Sequence, residues 1–345
     1  MAPIRVLYVN HVAFIGGAEE SLLALLAALD RERVEPVLAC PPGDLATRAR
    51  EMDVEVLSLP VASFRRTHNP VTLSGYMLHW IAGTNQFRRI VRTARPAIIH
   101  ANSAMAQVYA GSVAQKANIP CVWHARDLRP LPFPAQAICK NADQIVAISQ
   151  CVREFLVVNG FPRRRIQCIH NGLDVARWEA RVTGRNVRGE LNLNPEERVL
   201  LIAAQFVPWK RHEDAIRAMP QILERAPAAR LLLAGSDLWG ADPEVESALR
   251  ALAKELSTEA EVMFLGQRDD VPDLMSIADI VLIPSDAEPF GRAAIEAMAL
   301  ARPVVGTRAG GLPEVVRDGE TGLLVVPRFP ESLADACCRL IENPS

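Results

Sequence analysis

Ser285-Asp286-Ala287-Glu288-Pro289-Phe290-Gly291-Arg292-Ala293-Ala294-Ile295-Glu296-Ala297-Met298-Ala299 follows an apolar run that ends at Pro284. A strand gives way here to a turn carrying a carboxylate, and a helix begins near Gly291. Free backbone N–H groups and the positive end of the helix dipole at such a start suit a diphosphate. Glu288 and Glu296 are eight positions apart, which puts one at the helix mouth and the other about two turns in. Carboxylates so placed can grip two hydroxyl-bearing parts of one elongated ligand. Taken singly, each also has an ordinary explanation, Glu288 as an N-terminal cap helper and Glu296 as a solvated helix glutamate.

On either side of this stretch, short β-branched runs alternate with helix-length amphipathic segments. The runs are Ile4–Val9, Pro36–Ala39, Val54–Leu57, Ala97–His100, Cys121–Trp123, Ile145–Ile148 and Ile166–Ile169, then Val199–Ala203, Arg230–Ala234, Val262–Leu265, Ile280–Ile283, Pro303–Val305 and Gly322–Val325. Alternation of this kind predicts parallel sheets covered by helices on both faces, an α/β architecture that occurs twice. At 345 residues the chain is long enough for two domains with cores of their own. The polar stretch after the Asn171-Gly172 turn, with Gly184, Gly189 and Pro195, reads as a linker. The expected division is 1–175, a linker over 176–197, and 198–345.

Half of the residues are hydrophobic and 23% are charged, without low-complexity tracts, as in a globular protein. Seven cysteines without a Cys-x-x-Cys spacing read as small core residues in a reducing compartment. The N-terminus lacks the zones of a signal peptide and its longest apolar run, Leu22–Leu29, is too short to span a bilayer. A cytoplasmic protein is expected, with any membrane contact peripheral to the inner face. The net charge of −2 hides an asymmetry: 20 basic residues against 14 acidic in 1–180, and 18 against 26 in 181–345. No acid occurs between Glu55 and Asp127, where Arg65, Arg66, Arg88, Arg89, Arg92, Arg95, Lys116 and Arg126 fall. The first half suits an anionic partner such as an anionic membrane surface, although solvated helix-end arginines would look the same. No nucleic-acid partner is expected.

Further stretches sit where strands end. Gly16 and Gly17 in Gly16-Gly17-Ala18-Glu19 let backbone approach a bulky anion, or simply make a tight turn. His124, after Cys121–Trp123, stands at the carboxyl end of a strand, where open α/β sheets present functional side chains. A lone histidine is otherwise most often structural. Ser149 reads as a helix N-cap. There is no Asp-x-Asp and no cysteine-histidine cluster at zinc spacing, so no metal site is expected.

The Glu288–Glu296 run, read as Pro-Ser-x-x-Glu-Pro-Phe-Gly-x-x-x-x-Glu-Ala-Met-Ala and followed by Pro303-Val304-Val305-Gly306 and Gly310-Gly311-Leu312-Pro313-Glu314, resembles the signature of family-4 glycosyltransferases of the GT-B fold. The resemblance spans nearly the whole chain. It implies two Rossmann-like parallel-sheet domains facing across a cleft, with the acceptor on the first and a nucleotide-sugar, UDP- or GDP-linked, held mainly by the second. By similarity, Glu288 holds the transferred sugar, Glu296 the ribose, and the amides of Phe290, Gly291 and Arg292 the phosphates. Gly16 and Gly17 resemble the loop that closes over those phosphates. Lys210 matches the family's lysine and would neutralise the leaving diphosphate, whereas Gln205 stands where most members carry Arg. Gln267 and Arg268 resemble the loop that reads the base, and Gly235-Ser236-Asp237 falls where many members have Gly-x-Gly. Lys210, Glu288 and His124 are the implied catalytic residues.

The implied reaction is retaining, metal-independent transfer of a hexose or N-acetylhexosamine from a nucleoside-diphosphate sugar to a glycan or lipid-linked acceptor. No cofactor beyond the donor is implied. Two alternatives stay open: a nucleotide-sugar-binding protein without catalysis, motivated by Gln205, and a same-fold nucleotide-sugar epimerase. The family's final helix, which crosses back onto the first domain, is not found before Ser345, and a fragment is one explanation.

Overall fold

The computed structural model describes residues 2–60, 70–133, 135–237 and 244–343, with backbone alone over 70–79. Arg65 and Arg66 of the acid-free stretch lie outside the described residues. The chain forms two compact units, Met1–Gly172 and Leu173–Ser345.

In the first unit, β1 (Ile4–Val9), β2 (Val34–Cys40), β3 (Glu55–Ser58), β4 (Ile98–Ala101), β5 (Cys121–Ala125), β6 (Gln144–Ala147) and β7 (Ile166–Cys168) form one sheet in the order β3-β2-β1-β4-β5-β6-β7. Every pairing is parallel. Strand β1 shows why. Leu7 and Val9 enter one apolar cluster, with Phe87 and helix residues Ala106, Ala110 and Val113, while Val6 and Tyr8 enter another with Leu22, Leu23 and Leu26. A strand buried on both faces needs helices on both sides, which crossover connections supply.

The second unit repeats the scheme with β8 (Arg198–Ala203), β9 (Ala229–Ala234), β10 (Val262–Gly266), β11 (Ile280–Ile283), β12 (Val304–Thr307) and β13 (Gly322–Val325), in the order β10-β9-β8-β11-β12-β13. These strands are parallel too. Leu200 and Ile202 of β8 point into one core cluster and Val199 and Leu201 into the other. Strand order reverses between β1 and β4 and again between β8 and β11. At such reversals the loops leaving adjacent strands diverge, so each sheet has a crevice at their carboxyl ends.

All thirteen apolar runs are strands, and β1, β11 and β13 have the expected limits. Strand β5 runs on to Ala125, so His124 lies within it and not after it. The expected linker requires correction. Residues 176–197 carry the short helices Val175–Glu179 and Val187–Glu190, and Trp178, Val187 and Leu193 are buried in the core of the second unit. The indole Nε1 of Trp178 donates to the carbonyl of Glu296 at 3.0 Å. Three anchors this far apart make no periodic pattern, which is why the stretch looked like a tether. Among the described residues, no helix is long and apolar enough to cross a membrane.

Replacing Trp178 by Ala should destabilise the second unit by about 3–5 kcal/mol, the range for emptying a large aromatic site in a core. Urea unfolding followed on that unit's transition checks this, and an unchanged midpoint would restore the linker assignment.

Candidate functional site

At the reversal in the second sheet, the loop after β8 leads through Gln205 to a 3-10 turn, Pro208–Lys210, while the loop after β11 carries Ser285 to Gly291. Backbone joins the two: the amide of Asp286 donates to Trp209 O at 2.9 Å. Lys210 Nζ then meets Glu288 Oε2 at 2.7 Å, and Ser285 Oγ donates to the same oxygen at 3.1 Å. Neither charged side chain is far from water, at 18% and 12% exposure, so both remain within reach of a ligand. The Lys210 ammonium also lies 4.3 Å from the centre of the Trp209 ring, which adds cation–π attraction.

The loop after β12 sets the height of Glu288. Glu288 and Gly310 form a parallel bridge, and the amide of Gly311 donates to Glu288 O at 2.6 Å. A Cβ on Gly310 would stand 2.1 Å from that carbonyl oxygen, and Gly310 has a φ of +64°, so a side chain is excluded twice over. Gly291 (φ +99°) precedes the helix Arg292–Ala299 and contributes no capping side chain to it. The first turn of that helix has no side-chain cap, although the Ala294 amide donates to Gly291 O at 3.0 Å. Arg292 Nε donates to Glu296 Oε1 at 2.6 Å, one turn along. Glu296 is therefore about one turn into the helix and not two, because the helix starts at Arg292 and Glu288 belongs to the loop. Phe290 is buried beneath them.

The loops after β8, β9 and β10 are knitted together. Phe206 N donates to Ser236 O, and Gly235 N donates to Gly266 O. A Cβ on Gly235 would fall 1.9 Å from Ala204 O, so glycine is required beside Gln205. Gln267 and Arg268 line an open depression of about 440 Å³ with Arg181, Thr183, Asp270 and Asp273. Arg268 is held by Asp270 through two hydrogen bonds. The side chain of Asp273 accepts from the Thr183 amide at 2.7 Å, so the 173–197 segment builds one wall of this depression.

In the first unit, Asn10 and Asn102 follow directly on β1 and β4, the strands at the reversal, and both are fully buried. Asn102 Nδ2 donates to Asn10 Oδ1 at 3.0 Å and to Ala18 O at 3.3 Å. Arg126, just past β5 and 7% exposed, donates from Nη2 to Asn102 Oδ1 at 2.8 Å and from Nη1 to Asn171 Oδ1 at 3.0 Å and Ser21 Oγ at 3.1 Å. His124 Nδ1 lies 3.3 Å from Arg126 Nη2 and 3.3 Å from His100 Nε2. Burial, then the Arg126 guanidinium, hold the pKa of His124 well below the usual histidine range. Beside this network the amide of Gly16 donates to Glu19 Oε2 at 3.1 Å, and Gly17 opens the helix Gly17–Ala27. Gly16 is extended (φ −117°), so any need for glycine there lies in space and not in backbone conformation.

The structure thus brings Lys210, Glu288, Arg292 and Glu296 to one edge of the second sheet, Gln205, Gln267 and Arg268 to its neighbouring loops, and Gly16, Gly17 and His124 to the carboxyl edge of the first. Reading the sequence missed Asn10, Ser21 and Asn102 and undervalued Arg126. The usable signal was a polar residue directly after an apolar strand at both Asn10 and Asn102. Arg126 also leaves the exposed basic surface, to which Arg89, Arg92, Arg95 and Lys116 do belong.

Residues 15–177 match the family Glycosyltransferase Family 4, and residues 185–345 match the family Glycosyl transferases group 1. The chain is similar to the N-acetyl-alpha-D-glucosaminyl L-malate synthase of Bacillus anthracis, 32% identical over 182 residues, 53% of this chain and 46% of that protein. It is also similar to the D-inositol 3-phosphate glycosyltransferase of Rhodococcus opacus, 34% identical over 220 residues, 61% of this chain and 48% of that protein. The chain spans about half the length of these curated relatives. Anabaena Alr3699/HepE, whose structure in complex with UDP is known, superposes with a TM-score of 0.80 at 25% identity, covering 99% of this chain and 90% of that one. The two halves find their counterparts in one group of enzymes, and the protein belongs to the family-4 glycosyltransferases of the GT-B fold.

Proposed function

We propose that this chain is a retaining, metal-independent glycosyltransferase that moves a hexose or N-acetylhexosamine from a nucleoside-diphosphate sugar to a hydroxyl of a glycan or lipid-linked acceptor. The observation that carries the reading is the 2.7 Å contact between Lys210 and Glu288 beside the start of the helix Arg292–Ala299. A cation and a carboxylate this close fit a sugar-phosphate unit, the ammonium at the phosphate and the carboxylate at a sugar hydroxyl. Glu296, a turn further on, takes the ribose diol. The amides of Phe290, Gly291 and Arg292 and the helix dipole share the phosphate charge with Lys210.

The bond from the anomeric carbon to the phosphate oxygen breaks while the acceptor oxygen bonds on the same face, and the leaving phosphate takes the acceptor proton. Preorganised positive charge around the phosphate lowers that barrier. Gln205 contributes a neutral donor where an arginine is usual, so Lys210 carries more of the charge stabilisation. UDP is the first nucleotide to test, supported by the UDP complex of Anabaena HepE. Gln267 and Arg268 read the base.

The two glutamates should separate experimentally. Glu288→Gln should keep the affinity for free nucleoside diphosphate and lose turnover, since its contact acts on the reacting sugar. Glu296→Gln should weaken nucleotide and intact donor alike, by roughly 1–3 kcal/mol for a hydrogen bond to a charged group. Calorimetry with the bare nucleotide beside initial rates decides it, and the reverse pattern would turn the donor around. Nucleotide binding without diphosphate release in the presence of acceptor would favour the binding-protein alternative.

Transfer should survive EDTA, because Lys210 and the helix N-terminus do the work of a cation. Loss of turnover on chelation, restored by magnesium or manganese, would sink the metal-independent scheme.

The exposed Arg89, Arg92, Arg95 and Lys116 support an acceptor presented at an anionic membrane surface. Each such charge is worth about 1 kcal/mol at low salt. The chain should co-sediment with anionic but not neutral vesicles, and equal binding to both would remove this part of the proposal.

A further inference from the structure

A guanidinium can only donate hydrogen bonds, so His124 Nδ1, which faces Arg126 Nη2 at 3.3 Å, must accept. A neutral imidazole with a bare Nδ1 carries its proton on Nε2. That Nε2 is buried and, among the described residues, has no hydrogen-bond partner. His124 therefore presents a desolvated N–H with no acceptor among the described residues, at the edge where β5 leaves the first sheet. Leaving such a donor unsatisfied is costly. An oxygen of a bound substrate would remove that cost.

Arg126 is itself locked. Its Nε donates to Asn102 O at 3.1 Å, and its two Nη atoms engage Asn102, Ser21 and Asn171. With four of its five donors on these oxygens, the guanidinium is held with its remaining Nη2–H towards His124.

We infer that Arg126 is a positioning residue that fixes His124 as an Nε2–H hydrogen-bond donor, so that His124 serves the transfer by donating to a substrate oxygen and not by moving a proton. The inference rests on the proposed glycosyltransferase reading for the nature of that oxygen, a sugar or acceptor hydroxyl. It gives His124, one of the implied catalytic residues, a defined role as a hydrogen-bond donor.

The surroundings agree. The groups around the imidazole are His100 from β4, Arg126, Tyr8 of β1 against the His100 ring, and Glu19 near Arg126. Burial lowers His100 to about 4 and raises Tyr8 to about 12. Burial pushes up the carboxyl of Glu19, and the charge of Arg126 also acts on Asp127. A histidine so placed stays neutral, with one tautomer, across physiological pH.

Long-range proton–nitrogen spectra of the imidazoles in the full chain test this directly, with His124→Asn to assign the signals. His124 should be protonated on Nε2 alone and unchanged from about pH 5.5 to 8.5, a span that covers the ordinary histidine pKa. Arg126→Met should give mixed tautomers and a titration within that span. A wild-type Nδ1–H form, a wild-type titration there, or an unchanged tautomer in Arg126→Met would each overturn the inference. Should Arg126→Met not fold, His100→Ala serves: His124 must stay Nε2–H when only Arg126 faces it, and a switch to Nδ1–H rejects the assignment. In turnover assays Arg126→Met should lower kcat about tenfold, the effect of one transition-state hydrogen bond, with nucleoside diphosphate affinity unchanged. If wild-type protein binds no nucleoside diphosphate, the donor reading fails while the tautomer result stands by itself.

Discussion

Strands β1 and β8 leave neither face to water, since successive side chains enter clusters on opposite sides of the sheet. Helices must then cover both faces, and consecutive strands must lie parallel. A sheet wound outwards from a central strand in both directions has one place where the order reverses. There the loops part and leave room for side chains that packing does not use. Asn10, Asn102, Lys210 and Glu288 all occupy loops at such reversals, so the positions that chemistry can use follow from the hydrophobic pattern of two strands.

The two units solve the problem of charge at a crevice differently. In the second, Lys210 and Glu288, and Arg292 and Glu296, form opposite-sign pairs that keep some exposure. A ligand that replaces one partner of such a pair must supply charge or hydrogen bonds in its place, because a mostly buried charge is costly to leave unpaired. In the first, the Arg126 guanidinium is almost wholly buried and its hydrogen bonds run to amide, hydroxyl and imidazole groups. Burying a charge is tolerable only when its donors are satisfied. Such a centre resists rearrangement, which suits a residue that orients another.

Backbone does as much as side chains to place Glu288. The carboxylate is aimed by a loop pressed onto Gly310 and Gly311 so closely that neither position has room for a Cβ, at 2.1 and 2.6 Å from backbone oxygens. Any residue larger than glycine there would push the Glu288 loop off the strand end and with it the contact to Lys210. The Gly-Gly pair is thus part of the site although it offers no functional group.

The sequence by itself determined the thirteen strands, the parallel architecture repeated twice, and the Glu288–Glu296 run, because hydrophobic periodicity and a strand–turn–helix junction are local patterns. It also carried the family resemblance. Tertiary structure decided what depends on residues far apart in the chain. The buried network of Asn10, Ser21, Asn102, Arg126 and Asn171 draws one residue from each of four loops and one from the helix Gly17–Ala27, and no local pattern marks them as partners. Residues 176–197 look like a tether because their anchors, Trp178, Val187 and Leu193, are too sparse to read, and only their burial in the apolar cluster of the second unit shows them as core. The tautomer of His124 lies at the same level: Arg126 is only two positions on, but the residues that hold its guanidinium against the ring, Ser21, Asn102 and Asn171, are distant in the chain, and a sequence contains no such distances.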